Sequence, residues 1–243
     1  MKIKIILLLA ILSMFLQYNV TVQNASLLFA DTTVSQRADQ DTKNWNIEKL
    51  DTAKNASYLS AIEKDVILEM NMVRCDPKKY AELYIKTELQ YYNGRLFKKP
   101  GEITLQTNEG REAAESCIAE LSRMRSAGIL KPEIGLARGA ADHTKDQSKS
   151  GRTGHNGSDG STPFTRIKRY GGGYTTAGEN IAYGGTRGRE LIVQLLIDDG
   201  VPGRGHRKNI MSRDFTQTGV SFATHSDYRT MCVINYANGY VSK

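Results

Sequence analysis

The sequence predicts an α+β fold on three observations. Apolar residues recur at helical spacing in four stretches, 57–74, 108–124, 136–149 and 187–199. Two later stretches, 216–223 and 230–236, alternate apolar and polar residues as antiparallel strands do. A short extended segment, Glu179 to Tyr183, stands between the helical patterns. With 243 residues, 40% of them apolar and 24% charged, the chain is globular in composition. It is long enough for one domain with extensions or two small ones. Thirty-three basic against 26 acidic residues give +7. This mild excess fits attraction to anionic surfaces and reads as solvated surface. No Arg-rich groove motif or nucleic-acid signature accompanies it, so no nucleic-acid partner is expected.

In chain order, Lys2 and Lys4 precede an apolar run from Ile5 to Leu16. A positive start and an apolar run this short describe an export signal, residues 1–30, with Ala25 and Ala30 as candidate cleavage positions. An uncleaved signal anchor is the alternative, and the only membrane contact expected. Residues 31–55 are polar and aperiodic, and read as a linker or arm with the single tryptophan, Trp45, inside it. Residues 56–243 form the expected domain. Its first helix, 57–74, carries Leu59, Ile62, Val66, Ile67, Met70 and Val73 on its apolar face. Asp76 as cap and Pro77 at the first helical position start a second, 78–85. Asn71 and Arg74 read as packing and capping.

Residues 88–107 read as an insertion, with a hairpin signalled by Asn93-Gly94. The next helix, 108–124, presents Ala113, Ala114, Cys117, Ile118 and Leu121. The helix at 136–149 carries His143, read as exposed or packed rather than as a ligand. The Gly-, Ser- and Asp-rich stretch 151–173 reads as loop with a short helical turn near Phe164. Its Asp159-Gly160-Ser161 lacks the alternating oxygens and final Glu of a calcium loop. In the helix 187–199, Leu191, Ile192, Leu195 and Leu196 are the expected buried face. Asp198 and Asp199 close it, although acids there oppose the helix dipole. A loop, 200–205, delivers His206. His225, in the turn between the two strands, is expected to be solvated. Cys75, Cys117 and Cys232 cannot all pair within the chain. Cys75 and Cys117 could join if their helices touch; reduced thiols packed as small hydrophobes are the preferred reading.

The chemistry concentrates between Gly154 and Asn209. Gly154-His155-Asn156, Gly178-Glu179-Asn180-Ile181, Asp198-Asp199 and Gly205-His206-Arg207-Lys208-Asn209 combine imidazoles and carboxylates in tight motifs. Such groups bind a divalent metal, shuttle protons or hold a polar ligand. These blocks, with Asp159-Gly160, Phe164, Arg166-Ile167 and Gly219-Val220, resemble the CAP superfamily: cysteine-rich secretory proteins, antigen 5 and pathogenesis-related proteins, also called SCP-like extracellular proteins. The bacterial branch is the nearer. The resemblance covers roughly 59–240, and three ordered motifs make it specific.

The resemblance implies a three-layer α-β-α sandwich with a small antiparallel sheet between helices, and a cleft lined by two His and two acids. It puts His155, Glu179 and His206 on three of these positions. Alignment of Val193 to Leu196 puts Asp199 on the fourth, where many eukaryotic members have Glu, with Asp198 the neighbouring alternative. Leu196 stands where a Trp is usual, and extra residues precede His206. The implied function is an exported binding module at the cell envelope or outside the cell. It would take a divalent cation such as Zn2+, with His155 and His206 as ligands, or a lipid, peptide, cell-wall or host component. The alternatives are a peptidase-like hydrolase, with Glu179 as base and His155 and His206 as metal ligands or electrostatic partners, and a surface structural or adhesion protein. There is no His-Glu-x-x-His helix, and no Gly-x-Ser-x-Gly elbow supports Ser158 or Ser161 as a nucleophile.

Overall fold

A computed structural model of the chain describes residue 41 and residues 43–243. The expected export signal, the arm before residue 41 and residue 42 lie outside the described residues. The chain divides into two units, 1–47 and 48–243. In the first, the Trp45 amide donates to the Asp41 carbonyl (2.8 Å), and Trp45 is buried.

A one-turn helix (Ile47–Leu50) ends at the buried Leu50, and turns follow in which Ala53 and Leu59 are also buried. Helix α1 (Ala61–Cys75) starts at a capping box: the Ser60 amide donates to Glu63 (2.7 Å). Pro77 opens α2 (Pro77–Tyr80), where the Asp76 side chain accepts the Lys79 amide. The chain then widens into a π turn (Ala81–Ile85) and tightens into a 3-10 stretch (Lys86–Tyr91) rather than continuing as one α-helix. Strands β1 (Tyr92–Asn93), β2 (Leu96–Phe97) and β3 (Leu105–Gln106) make a small antiparallel sheet at 88–107. The two-residue turn Gly94-Arg95 joins the first pair. Helix α3 (Arg111–Leu121) follows.

The central sheet comprises β4 (Lys131–Pro132), β6 (Thr176–Tyr183), β7 (Gln217–His225) and β8 (Arg229–Asn238), in the order β4-β7-β8-β6. Its β4–β7 pair is parallel and the others antiparallel. Strands β5 (Gly171–Gly172) and β9 (Val241–Ser242) pair separately. Met231 and Val233 cluster with Ala140 of α4 (Ile134–Ser150), and Asn235 donates to the Leu136 carbonyl of that helix. The alternate residue Tyr236 reaches back to Met70 of α1. Strand β8 is thus covered on both faces and buried continuously from Met231 to Ala237, where an alternating pattern was expected. Helices on both faces make the α-β-α sandwich. Gly219 of β7 lets α4 approach, because a Cβ there would lie 2.1 Å from the Ala137 nitrogen.

The remaining helices are α5 (Pro163–Lys168), α6 (Gly188–Ile197) and α7 (Gly205–Met211). The last begins at Gly205, the final residue of the expected loop 200–205, so His206 sits in a helical first turn. All three cysteines are free, Cys117 and Cys232 being buried.

Asn71 and Arg74 do more than cap α1. The Asn71 side chain donates to the Leu50 and Leu130 carbonyls and accepts the Leu130 amide. Arg74 is fully buried, and its guanidinium donates to five carbonyls, those of Ala127, Gly128, Ile210, Ser212 and Phe215. A planar five-donor fork suits this cage, and an ammonium does not. Arg74→Leu leaves several buried acceptors unpaired, so denaturant unfolding should show a loss of roughly 3–5 kcal/mol, with Arg74→Lys restoring little of it. A loss under about 1 kcal/mol would contradict the cage.

Candidate functional site

Helix α4 stops at Gly151 in the left-handed conformation (φ 65°), which frees the chain to form the loop carrying His155. That loop is tied to α4 and β6. The Gly154 carbonyl accepts from His143 Nε2 (2.8 Å) and Gln147 Nε2 (2.6 Å). Its amide donates to the Tyr183 hydroxyl (3.1 Å), which donates to Gln147 Oε1 (2.8 Å). His143, expected to be exposed or packed rather than a ligand, is a buried fastener, four residues before Gln147 on the same helical face.

The His155 ring meets Glu179 on β6, with Nδ1 2.9 Å from Oε1. The other oxygen, Oε2, accepts from Arg166 Nη2 at 2.8 Å. The same nitrogen holds the His155 carbonyl (3.0 Å), and Nη1 holds that of Ser161. Thr162 caps α5 and Pro163 occupies its first turn, so Arg166 points inward from a fixed start. The Glu179 and Arg166 side chains are each 1% exposed, whereas that of His155 is 49% exposed.

His206 has a different acid. Helix α6 ends at Asp198, a non-glycine residue in the left-handed region (φ 56°). This turns its carboxylate onto the start of α7. Oδ1 lies 2.6 Å from His206 Nδ1, and Oδ2 accepts the His206 amide at 2.9 Å. Acids that oppose the dipole of α6 are accommodated in this way: one serves the next helix start, where negative charge is favoured. The site alignment to Asp199 is corrected here. Its oxygens accept the amides of Asn108 (2.6 Å) and Glu109 (2.7 Å) ahead of α3, because neighbours at a left-handed turn point apart.

The expected four-residue constellation is therefore two pairs, His155–Glu179 and His206–Asp198. The two pairs are stitched at β6. Asn180, next to Glu179, donates to the His206 carbonyl (3.0 Å). Asn209 donates to Asn180 Oδ1 (2.9 Å) and to the Glu179 carbonyl (3.3 Å). Sequence reasoning gave no role to Arg166, His143, Gln147, Tyr183, Asn180 or Asn209. The i, i+4 spacing of His143 and Gln147 was the available signal.

Ionised carboxylates only accept, so each pair puts a proton on Nδ1 and leaves the Nε2 lone pair. Neither Nε2 bonds to a described residue, and the His206 side chain is 23% exposed. Each arrangement is the one by which a carboxylate orients a metal-binding imidazole. Among the described residues no group of three or more His, Cys, Asp or Glu could hold a metal ion. The donors that remain are the Nε2 atoms of two imidazoles, each held by its own carboxylate.

His225 is also corrected. It is buried, its Nε2 donating to the Arg152 carbonyl (3.0 Å) and its Nδ1 accepting the Asp227 amide (3.2 Å).

A family model described as the cysteine-rich secretory protein family (CAP) matches residues 106–236, which include both pairs. An uncharacterized protein of Bacillus subtilis, YkwD, is 32% identical over 114 residues, or 45% of this chain. The chain spans 42% of that relative's length. An outer surface protein of Borrelia burgdorferi is similar over 53% of this chain and 87% of its own, at 19% identity and a TM-score of 0.39. An extracellular protein of Bacillus anthracis containing an SCP domain is similar over 45% of this chain and 34% of its own, at 28% identity and a TM-score of 0.37.

Burial holds the His143 pKa below its ordinary 6.5, and Arg166 pushes it the same way, while Glu179 and Asp146 oppose. A depressed histidine pKa means that the unfolded chain takes up this proton first as pH falls. Stability then declines from about pH 7 downward, until the folded form is protonated too. His143→Gln, which retains an N–H for Gly154, should flatten denaturant-unfolding free energies between about pH 7 and 5. An unchanged slope would contradict this assignment.

Proposed function

The chain belongs to the cysteine-rich secretory protein (CAP) family, and from that premise we propose that it is an exported binding module whose paired histidines take up a divalent cation such as zinc. The ion's remaining positions then engage a ligand at the cell envelope or outside the cell. The supporting observation is that both rings spend Nδ1 on a buried carboxylate and present an unpartnered Nε2. Two imidazoles suit zinc chemically, but fall short of the three or four protein ligands of a tight site. The ion is thus held loosely and stays open to exchange. When bound, it supplies Lewis acidity toward a ligand oxygen. The residues of the chain orient the rings and exclude water from the carboxylates behind them.

The same geometry favours binding over Glu-assisted hydrolysis. Glu179 has both oxygens committed, to His155 and Arg166, and its side chain is 1% exposed. A general base needs an oxygen within reach of the proton it takes. Glu179 is better read as a positioning residue. The ligand class, whether lipid, peptide, cell-wall or host component, follows from the family only as a range, and cell fractionation tests the proposed export.

Calorimetric titration with zinc tests the reading. His155→Ala and His206→Ala should each abolish the binding heat. Asp198→Asn should weaken affinity by roughly 10–100-fold through loss of ring orientation. Asp199→Asn should leave it unchanged. Full affinity in both alanine variants, or equal losses at Asp198 and Asp199, would overturn the assignment.

A further inference from the structure

A small polar cavity of about 130 Å³ lies beneath the His155 loop, between α4 and α5, lined among others by His143, Arg166, Asp142, Asp146, Asp159 and Arg169. Two of its lining side chains carry a buried nitrogen without a hydrogen-bond partner, His143 Nδ1 and Arg166 Nε. Both residues are almost wholly inaccessible. Buried polar atoms are nearly always satisfied, so two orphans on side chains that line the same cavity point to a ligand.

Their chemistry restricts its class. His143 Nε2 faces a carbonyl and so carries the proton, which leaves Nδ1 as an acceptor. Arg166 Nε–H is a donor, the Nη groups being already spent on His155, Ser161 and Glu179. The ligand must therefore both donate and accept. The nearby carboxylates ask for nothing more. Asp142 is engaged by Arg169 and the Tyr170 hydroxyl, Asp146 by the Ser158 amide and hydroxyl, and Asp159 by Arg169 and the Ser161 amide. They nevertheless repel an anion. Two guanidiniums and the lack of a three-ligand group among the described residues disfavour a metal cation.

We propose that this cavity is a hydroxyl site, in which an O–H group of water or of a polyol donates to His143 Nδ1 and an O–H oxygen accepts from Arg166 Nε. One oxygen or two can meet these demands, since a water takes up roughly 30 Å³ in the liquid. Two of the cavity's lining side chains, Asp159 and Arg169, are also exposed to solvent, at 56% and 40%. The site is separate from the proposed cation position and stands whether or not zinc binds. The two share Arg166, so a hydroxyl ligand here braces the loop that carries His155.

The test is a crystal structure of the full chain, grown without polyols, at a resolution that shows ordered water. An oxygen within hydrogen-bonding distance of His143 Nδ1 and one within reach of Arg166 Nε, the same or different, is the expected result. A second crystal soaked in glycerol separates the sources. A glycerol hydroxyl at those positions assigns the site to polyols, and retained water assigns it to water. Soaks in manganese and bromide complete the series. A cavity without ordered oxygen at either nitrogen, or anomalous signal from either ion inside it, overturns the proposal.

Discussion

The Glu179 carboxylate is buried, and a buried carboxylate without a partner would be expensive enough to prevent this site from forming. Arg166 removes that cost and ties three things into one unit. Its guanidinium holds Glu179, the carbonyl of His155 and the carbonyl of Ser161, so the charge pair, the loop path and the ring position stand or fall together. Loss of either partner would leave the other charge buried without its counter-ion. The exposed imidazole is therefore held from behind by a buried ion pair and the loop carbonyls bonded to it.

The second pair reaches the same result by another backbone device. A left-handed residue at the end of α6 swings Asp198 across the intervening loop onto the ring and amide of His206. The asparagines at 180 and 209 then bind the start of α7 to β6 beside Glu179. Neither histidine depends on the other's acid, so the site consists of two independently oriented rings on one framework rather than a four-residue network. The framework is rigid where it matters, with the caged Arg74 fixing α1 to the segment following α7.

Much of this was legible in the sequence. Helical periodicity located α1, α3, α4 and α6, and the ordered Gly-His, Gly-Glu-Asn and Gly-His-Arg blocks pointed to the family and to three of the four side chains. What stayed hidden has physical causes. Asp198 and Asp199 are adjacent and chemically identical, and only the left-handed turn decides which faces His206. The start of α7 resembles a loop because Pro202, Gly203 and Gly205 crowd the residues around it. His225 looked solvated and His143 either exposed or packed, yet long-range packing buries both, a property that no local pattern carries. Strand β8 defied its alternating pattern because helices cover both its faces. Arg166 could be quoted from a motif but not given a role, since its partners lie 5 to 13 residues away on separate elements.

The central claim is that both rings are bound through Nδ1 and keep a bare Nε2. Nitrogen-15 correlation spectra of the histidine side chains at neutral pH report this directly. The account predicts Nδ1-protonated rings with unprotonated Nε2 at both His155 and His206. An Nε2-protonated neutral tautomer at either residue would contradict it.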